Sequence, residues 1–432
     1  MNKATVVILA GGFGTRLSKI LPAGVPKPMA PFLGKPLLLY QLDLCKRCGV
    51  SNVLILTHHF SEAIESSFGS GGDLGLQVSY LREDVPRGTA GAIKDALPFL
   101  EDSFLVIYGD TFLEVDLDAF MSHRRKDVSL LTLVHPNSHP YDSDLLNLDD
   151  SGLVTSVFRP TRSGDTLYSN NVNAALYYAE AALFEKYVPD SGAMDISSEL
   201  FPIAIGAGVK IQAYRSVEYI KDMGTPDRYN AVQADLLRGV PQRLALHNKR
   251  ACVFLDRDGV INQEDGYVIS MNQFRLLPRV SEAVSLLNRA GVLVICVTNQ
   301  PIIARGDASE ESLNNIHMRM EVDLGKQGAY LDAIYYCPHH PDSGFDGEVS
   351  ELKITCECRK PSPGMILRAA EEFNIDLESS WIVGDTWRDM GAGEAAGIKT
   401  AYVGKPDSSI SADYRGKDVL HATEHILEIE GW

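Results

Sequence analysis

Short apolar runs alternate with longer amphipathic stretches along the whole chain. Runs of this length predict buried strands, at residues 5–10, 52–57, 104–108, 251–255, 293–298 and 381–383. Stretches with apolar residues at helical spacing predict helices, for instance at residues 35–49, 280–290 and 364–373. Because strands alternate with helices, we expect parallel α/β sheets.

One break in this pattern divides the chain. Residues 229–238 predict a closing helix, after which glycine and proline interrupt the pattern until a new strand begins at Arg250. A length of 432 residues allows two or three domains. We expect a first domain at residues 1–240, a linker at 241–249 and a second domain at 250–432. The predicted fold class is α/β, with two doubly wound, mainly parallel-sheet domains.

Charge and cysteine content narrow the kind of protein. The net charge of −17 argues against nucleic acid as the main partner, because binding to a phosphate backbone needs a basic face. No apolar run is long enough to span a bilayer, and the first run predicts a strand rather than a secretion signal. Seven cysteines, an odd number, favour a reducing compartment. We expect a cytoplasmic enzyme that acts on small molecules. A homo-oligomer is compatible with the sequence.

A glycine-rich loop directly follows the first predicted strand. It consists of Gly11-Gly12-Phe13-Gly14-Thr15-Arg16, and Pro26-Lys27-Pro28 comes shortly after. Glycines let backbone N–H groups approach phosphates closely, and Arg16 and Lys27 add cations that can brace them. Asp110 follows the apolar run 104–108, at a strand end where ligands bind in open α/β sheets. The first half therefore carries the features of a triphosphate site.

These segments, taken in order, resemble the sugar-phosphate nucleotidyltransferases over residues 3–237. The late segment Asp222-Met223-Gly224-Thr225-Pro226 also matches that family, whereas Ala175 stands where the family usually has glycine. We therefore expect a slightly different sugar pocket. The resemblance implies a Rossmann-like domain in which a sugar 1-phosphate attacks the α-phosphorus of a nucleoside triphosphate. It implies nucleotide binding by Gly11, Gly12, Gly14, Thr15, Gly88 and Thr89, catalysis by Arg16 and Lys27, sugar binding by Asn173 and Glu199, and Mg²⁺ between Asp110 and Asp222.

Structural roles are the alternative for several of these residues. Asp110 could cap a helix, Lys27 could be a solvated surface residue, and Glu199 could be purely structural. Cys45 and Cys48 form a C-x-x-C pair inside a helical pattern, which favours packing over redox or metal chemistry.

The second half opens with Asp256-Arg257-Asp258-Gly259 after an apolar strand. Thr298 and Asn299, then Arg359 and Lys360, then Asp385 and Asp389 follow in order. These motifs resemble the haloacid dehalogenase (HAD) superfamily, which implies a HAD-like Rossmannoid domain. In it, Asp256 would be the phosphoryl-accepting nucleophile and Asp258 the general acid and base. The resemblance further implies phosphate binding by Thr298, Asn299, Arg359 and Lys360, Mg²⁺ bound by Asp256, Asp385 and the Asp258 carbonyl, and support from Asp389 for Lys360 or a metal-bound water.

Three cysteines and one histidine form a candidate structural zinc clip in this half. Cys337-Pro338-His339 and Cys356-Glu357-Cys358 supply a full tetrahedral donor set. The stretch 341–353 between them has little to bury, so a metal would order it. We prefer His339 to His340 because C-x-H then mirrors C-x-C. The alternative is four reduced residues that lie near one another without a metal.

Together these features resemble a narrower family, the D-glycero-D-manno-heptose 1,7-bisphosphate 7-phosphatases, over residues 250–403. Arg359 is then a candidate to bind the phosphate that stays on the sugar. Such a phosphatase makes a heptose 1-phosphate, which a nucleotidyltransferase can consume, so we expect a bifunctional enzyme. GTP is favoured only because a heptose 1-phosphate guanylyltransferase would use the product of the phosphatase half of the chain. The alternatives are mannose 1-phosphate or histidinol phosphate as substrates, or one half acting as a non-catalytic binding module.

Overall fold

The chain forms two compact units. The computed structural model describes residues 4–12, 17, 20–22, 25–58, 60–162 and 166–432. The first unit comprises Met1–His135, Ser143–Arg159 and Asn171–Ala245, and the second comprises Pro136–Asp142, Pro160–Asn170 and Leu246–Trp432.

A mixed nine-stranded sheet forms the centre of the first unit. Its order is β10-β9-β11-β6-β1-β4-β5, and β8 pairs with β11 and β12. The pairs β1–β4, β1–β6, β4–β5 and β8–β12 are parallel, whereas β11 runs antiparallel to its neighbours. The strands of this unit are β1 (Val6–Leu9), β2 (Pro31–Phe32), β3 (Lys35–Pro36), β4 (Asn52–Thr57), β5 (Gln77–Arg82), β6 (Ser103–Tyr108), β7 (Thr111–Glu114), β8 (Leu130–His135), β9 (Leu145–Leu148), β10 (Val154–Phe158), β11 (Val172–Glu180), β12 (Ile211–Arg215) and β13 (Tyr219–Asp222).

Two apolar clusters bury the parallel strands of this sheet. Alternate residues of β1 point to opposite clusters, so that Val6 and Ile8 join one and Val7 joins the other. Such strands appear in sequence as continuous apolar runs, which is why they could be predicted. The helices are α1 (Leu37–Arg47), α2 (Ser61–Phe68), α3 (Gly88–Ala96), α4 (Leu117–Ser122), α5 (Ala181–Tyr187), α6 (Phe201–Gly206), α7 (Pro226–Leu237) and α8 (Val240–Leu244).

The end of the first unit differs from the expected linker. Thr225 caps α7, and Gly239 ends it in the left-handed conformation with φ of 70°. The chain then continues as the short helix α8, which takes up the first part of the expected linker. Pro241 suits the first turn of this helix, and Val240 is buried in a local core.

A six-stranded, entirely parallel sheet forms the centre of the second unit. Its order is β16-β15-β14-β17-β18-β19. The carboxyl ends of β14, β15 and β17 therefore lie side by side at one edge. The elements are β14 (Cys252–Leu255), α9 (Val280–Ala290), β15 (Leu293–Asn299), α10 (Glu310–Gly325), β16 (Ala333–Cys337), α11 (Gly364–Glu372), β17 (Trp381–Gly384), α12 (Trp387–Ala396), β18 (Lys399–Tyr402), β19 (Tyr414–Arg415) and α13 (Val419–Glu430).

Two segments from earlier in the chain pack within this second unit. Tyr168 is almost fully buried, and the Asn170 N–H donates to Glu321 of α10 at 3.3 Å. A Cβ at Gly325 would lie 2.9 Å from the Tyr168 hydroxyl, so a glycine permits this close approach. The sequence pattern did not predict this packing.

Among the described residues, no helix is both long and apolar enough to cross a membrane.

Candidate active sites

A cavity of about 270 Å³ lies at the carboxyl ends of β1 and β6 in the first unit. Six of the predicted nucleotide, catalytic and metal residues line it, namely Gly11, Gly12, Lys27, Gly88, Thr89 and Asp110. The predicted residues Gly14, Thr15 and Arg16 lie outside the described part of the chain. The cavity therefore brings together two glycine-containing segments, one cation and one carboxylate.

Lys27 and Asp110 form an ion pair at this cavity. Lys27 Nζ lies 2.9 Å from Asp110 Oδ2, and the lysine side chain is mostly buried. Gln41 braces the loop behind Asp110, because its Nε2 donates to the carbonyls of Tyr108 at 2.9 Å and Thr111 at 2.7 Å. A positive and a negative group are thus held next to each other at the mouth of the site.

Strand pairing brings the backbone segment of Asp222 next to that of Asp110. Strand β13 pairs antiparallel with β7, which puts Asp222 opposite Thr111, and the Met223 N–H donates to the Asp110 carbonyl at 3.0 Å. The Asp222 carboxylate accepts from Arg228 Nη1 at 2.8 and 3.0 Å. Each of the two carboxylates lies beside a cation, Lys27 for Asp110 and Arg228 for Asp222, and the Mg²⁺ expected between them stays a prediction.

The segment around Gly88 approaches a second loop closely. Gly88 has φ of 70°, and a Cβ there would lie 2.5 Å from the Met194 carbonyl oxygen, so only glycine fits. Thr89 Oγ1 donates to Asp195 Oδ2 at 2.9 Å. Glu199 Oε2 accepts from the Asp195 N–H at 2.7 Å, and Glu199 is exposed. Asp195, which the sequence analysis did not single out, thus connects Thr89 of the predicted nucleotide site with Glu199 of the predicted sugar site.

The predicted sugar ligand Asn173 lies at an irregularity in β11. Asn173 Nδ2 donates to the Tyr177 hydroxyl at 2.8 Å, and its Oδ1 accepts from Thr132 at 3.1 Å. The pairing register shifts between Asn173 and Tyr177. Ala175, within this irregularity, has φ of 56°. The departure from glycine seen in the sequence therefore falls at a position where the backbone favours glycine.

Three predicted groups of the second unit meet at the carboxyl edge of its sheet. Lys360 Nζ lies 2.8 Å from Asp256 Oδ1 and 2.6 Å from Asp389 Oδ1. Burial raises the pKa of Asp256 well above its ordinary value, and Asp389 adds to this effect. Burial alone would lower the pKa of Lys360, but Asp256 and Asp389 raise it. Lys360 therefore stays charged between the two carboxylates.

The carboxylates of Asp256, Asp385 and Asp389 fit a divalent cation. Their oxygens all lie within 4.8 Å of one another. Asp385 Oδ1 is buried and has no hydrogen-bond partner in the described structure. Burial, followed by Asp389 and Glu264, raises the pKa of Asp385 to about 7. A Cβ at Gly259 would lie 2.1 Å from Asp385 Oδ2, so glycine is required beside this cluster. A buried carboxylate oxygen without a partner, in a cluster of three carboxylates, fits a bound divalent cation.

Asn299 and Arg359 are engaged with backbone groups. Asn299 Nδ2 donates to the Lys360 carbonyl at 3.0 Å, and its Oδ1 accepts from the Lys360 N–H at 3.0 Å. Arg359 Nη1 donates to the His339 carbonyl at 3.1 Å. In this structure Asn299 therefore positions Lys360, and the proposed phosphate contacts of Asn299 and Arg359 stay predictions.

The four predicted zinc ligands converge. Cys358 Sγ lies 3.2 Å from Cys337 Sγ and 3.3 Å from Cys356 Sγ, and His339 Nδ1 lies 3.3 Å from Cys358 Sγ. His340 instead contacts Asp342. Three sulfurs and one imidazole nitrogen at these separations fit a single metal ion.

Arg305 contacts both the stretch 341–353, which lies between the two pairs of predicted zinc ligands, and the loop that follows β14. Its guanidinium carbon lies 4.7 Å from the centre of the Tyr267 ring and 4.2 Å from that of Phe345. A Cβ at Gly306 would lie 2.0 Å from the Gly347 carbonyl oxygen. The stretch 341–353 is thus packed against the residues that follow β15.

Comparison with known proteins supports both halves. A family model described as nucleotidyl transferase matches residues 5–239, and one described as HAD-hydrolase-like matches residues 357–422. The first match covers more than half of the chain. The chain belongs to the nucleotidyl transferase family.

The second unit of this nucleotidyl transferase has relatives of its own. It is 43% identical over 161 residues to the D-glycero-beta-D-manno-heptose-1,7-bisphosphate 7-phosphatase of Yersinia pestis, covering 37% of this chain and 84% of the relative. The Vibrio cholerae protein of the same name is 45% identical over 160 residues, covering 36% of this chain and 84% of the relative.

Among solved structures, HddC from Yersinia pseudotuberculosis is 27% identical and covers 54% of this chain and all of that one, with a TM-score of 0.47.

The predicted enzyme classes are therefore confirmed. The chain combines a nucleotidyl transferase unit with a phosphatase unit, and a HAD-like phosphatase implies Mg²⁺ at the carboxylate cluster. The sequence analysis missed Glu83 and Tyr108 in the transferase cavity and Gln300 in the phosphatase site. Each of these residues lies within a few positions of a predicted site residue, but only contacts with segments distant in the chain bring it into the site.

Proposed function

We propose that this nucleotidyl transferase carries out two consecutive steps of nucleotide-activated heptose synthesis. The phosphatase unit would remove the 7-phosphate of D-glycero-D-manno-heptose 1,7-bisphosphate. The transferase unit would then join the resulting heptose 1-phosphate to GMP from GTP and release pyrophosphate. The observation that carries the proposal is the phosphatase relationship, joined in one chain to a nucleotidyl transferase.

The phosphatase site supports attack by Asp256 on the 7-phosphate. An Asp256 oxygen forms a bond to phosphorus while the bond from phosphorus to the sugar oxygen breaks, giving an aspartyl phosphate. Lys360 and Thr298 hold the phosphoryl oxygens, and Asp258 gives a proton to the leaving sugar oxygen. Mg²⁺, held by Asp256, Asp385 and the Asp258 carbonyl, would offset the charge repulsion between carboxylate and phosphate.

Asp258 would also complete the second half of the reaction. Once it has lost its proton to the sugar oxygen, its carboxylate can accept a proton from water as the water attacks the aspartyl phosphate. Phosphate then leaves and Asp256 is restored. The acid of the first step is therefore the base of the second.

The transferase cavity supports a direct displacement with no covalent enzyme intermediate. A phosphate oxygen of the sugar 1-phosphate attacks the α-phosphorus and the bond to pyrophosphate breaks. Lys27 and Arg16 would stabilise the charge that develops on the phosphates, while Asp110 and Asp222 would hold Mg²⁺. Gly11, Gly12, Gly88 and Thr89 would border the nucleotide, and Asn173 and Glu199 the sugar.

Glu83 supports guanine as the base. It lines the cavity, and a Cβ at Gly11 would lie 2.9 Å from its Oε2. An ionised carboxylate can only accept hydrogen bonds, and guanine offers two adjacent donors on its pairing edge. Burial raises the pKa of Glu83 above its ordinary value, while the Arg87 N–H lowers it.

The same proposal includes the metal clip and the location. Zinc is the metal that three thiolates and one imidazole favour, and it would order the stretch 341–353. The cytoplasm fits the free thiols expected from the sequence.

Release of phosphate tests the phosphatase activity, and rates on alternative substrates test the heptose assignment. The full chain should release phosphate from the heptose bisphosphate faster than from histidinol phosphate, and Asp256→Asn should abolish release. In the transferase assay, heptose 1-phosphate should be preferred to mannose 1-phosphate. Equal or better turnover of the alternative substrates would replace the heptose assignment, and unchanged phosphate release by Asp256→Asn would refute the mechanism.

A further inference from the structure

Three side chains hold the two oxygens of Asp258. Oδ1 accepts from Asn262 Nδ2 at 2.9 Å and from Arg257 Nη2 at 3.0 Å and Nε at 3.2 Å. Oδ2 accepts from Gln300 Nε2 at 2.8 Å and Arg257 Nη2 at 2.9 Å. A carboxylate has about four lone-pair sites, so these contacts define how the side chain is directed. The Asp258 side chain is still 23% exposed, which leaves it reachable from the site.

Gln300 can adopt only one orientation of its carboxamide. Its Oε1 lies 3.0 Å from Arg257 Nη2, and a guanidinium group only donates hydrogen bonds. The amide oxygen must therefore face Arg257, which leaves the two N–H groups to face Asp258 Oδ2 and Thr298 Oγ1. Both of these distances are 2.8 Å. Gln300 is 2% exposed, so water does not compete for these groups.

One amide group thereby connects the proton donor with the phosphoryl-binding hydroxyl. Because Thr298 Oγ1 accepts from Gln300, its own O–H is free to donate to a phosphoryl oxygen. Arg257 in turn fixes the orientation of the Gln300 carboxamide. Arg257 is itself fully buried and forms an ion pair with Asp258. A buried charge of this kind needs its partners, which makes the arrangement rigid.

We propose that Gln300, oriented by Arg257, is a positioning residue that aims Asp258 at the leaving-group oxygen and the Thr298 hydroxyl at the phosphoryl group. Gln300 contacts no reacting atom and acts through these two residues. The inference rests on the proposed phosphatase function and adds residues that its chemistry needs.

The leaving group provides a direct test of this role. When the phosphorus–oxygen bond to a sugar breaks, the alkoxide leaving group needs the proton of Asp258. A p-nitrophenolate leaves as a stable anion and needs no proton. Loss of aim at Asp258 should therefore slow formation of the aspartyl phosphate from an alkyl phosphate much more than its formation from p-nitrophenyl phosphate. A general defect in folding or phosphoryl binding would slow both.

The experiment compares kcat/KM for the heptose bisphosphate and for p-nitrophenyl phosphate in full-length variants. This ratio covers the steps up to formation of the aspartyl phosphate and leaves out its later hydrolysis, in which Asp258 serves both substrates as base. For Gln300→Met we expect about a 100-fold loss on the bisphosphate beyond any loss on p-nitrophenyl phosphate, in the range of a general-acid contribution. Asp258→Asn should show the same selective pattern. Thr298→Val should lower both rates together. Gln327→Met, an exposed glutamine of the same unit, should change neither.

Parallel losses on both substrates in Gln300→Met, or no loss on either, would overturn the proposal. Should that variant not fold, Gln300→Asn shortens the side chain and withdraws the same contacts, and the same comparison applies. Should the wild-type chain hydrolyse p-nitrophenyl phosphate but not the heptose bisphosphate, the heptose assignment fails separately. Glycerol 2-phosphate then serves as the alkyl substrate, and the selective loss is still required.

Discussion

The Lys360 ammonium lies 2.8 Å from the nucleophile Asp256, and its side chain is only 3% exposed. It also contacts Asp389 at 2.6 Å. Two buried carboxylates therefore depend on one cation. Removing that cation leaves their charges uncompensated, which is more costly than losing an exposed ion pair.

Lys360→Met should destabilise the phosphatase unit by about 3–5 kcal/mol at pH 7.5. The loss should be smaller at pH 5, since the raised pKa of Asp256 lets the folded state take up a proton that the unfolded state binds less readily. All three tryptophans, Trp381, Trp387 and Trp432, lie in this unit, so tryptophan fluorescence during urea unfolding follows it alone. A loss that grows toward pH 5 would contradict this account of the cluster.

The raised pKa of Asp385 predicts how metal-free protein responds to pH. Its ordinary value is 3.8 and its folded value is about 7, so the folded state binds the extra proton between these values. The associated stability is present below pH 3.8 and lost as pH rises toward 7. With EDTA, the Tm of the tryptophan-reported unit should be roughly 3–8 °C lower at pH 8.0 than at pH 5.5.

Magnesium should reverse that pH effect. Because the ion binds the ionised carboxylate, the increase in Tm on adding Mg²⁺ should be larger at pH 8.0 than at pH 5.5. Asp385→Asn serves as the control, since it removes the titrating group and should remove most of the Mg²⁺ response. Equal Mg²⁺ effects at both pH values would contradict the assignment of Asp385 as a ligand.

Ala175→Gly should stabilise the transferase unit. Alanine at φ of 56° carries a penalty of roughly 1–2 kcal/mol, part of which the greater freedom of unfolded glycine offsets. We expect a net gain of about 0.5–1 kcal/mol in the free energy of unfolding, measured by circular dichroism in urea. Ala179→Gly in the same strand is the matched control and should destabilise by about 1 kcal/mol. Similar losses in both variants would mean that Ala175 is not strained.

The clip cysteines should control the metal content of the purified chain. We expect about one zinc ion per chain by mass spectrometry, and loss of that ion in Cys356→Ser. Cys48→Ser, which changes a thiol of the other unit, should keep the zinc. If the wild-type chain contains no zinc after purification without chelators, the proposal of a structural zinc ion is wrong.

Glu83→Gln should weaken the preference for GTP. The glutamine amide replaces one acceptor with a donor, which then faces a donor of guanine. We expect kcat/KM with GTP to fall about 10- to 100-fold, with a smaller change for UTP, in the pyrophosphate assay. A uniform fall for every nucleoside triphosphate would instead indicate general damage to the cavity.

The sequence allowed the buried parallel strands to be predicted because each is a continuous apolar run. Strands β14 and β15 lie where these runs were found, and the α/β class is confirmed. The antiparallel part of the first sheet was not predicted. There only one of the five residues of β10 is buried, and the position of the strand is set by pairing with β9 rather than by its own composition.

Site residues divide in the same way. Asp256 and Lys360 stand in local motifs, and the structure brings them to one sheet edge. Arg257 and Gln300 stand inside the motifs Asp256-Arg257-Asp258-Gly259 and Thr298-Asn299-Gln300, but nothing in these motifs indicates that the two side chains contact each other. Their importance arises from contacts over 43 residues of chain, which only the fold creates.

A single one-pot reaction tests the central claim most directly. The full chain is incubated with D-glycero-D-manno-heptose 1,7-bisphosphate, each anomer separately, together with Mg²⁺ and GTP, while phosphate, pyrophosphate and nucleotide-sugar are followed over time. The account predicts that phosphate appears first and that GDP-heptose and pyrophosphate follow in equal amounts from one anomer. Phosphate release without any nucleotide-heptose, or nucleotide transfer to the bisphosphate before phosphate release, would contradict two consecutive activities in one chain.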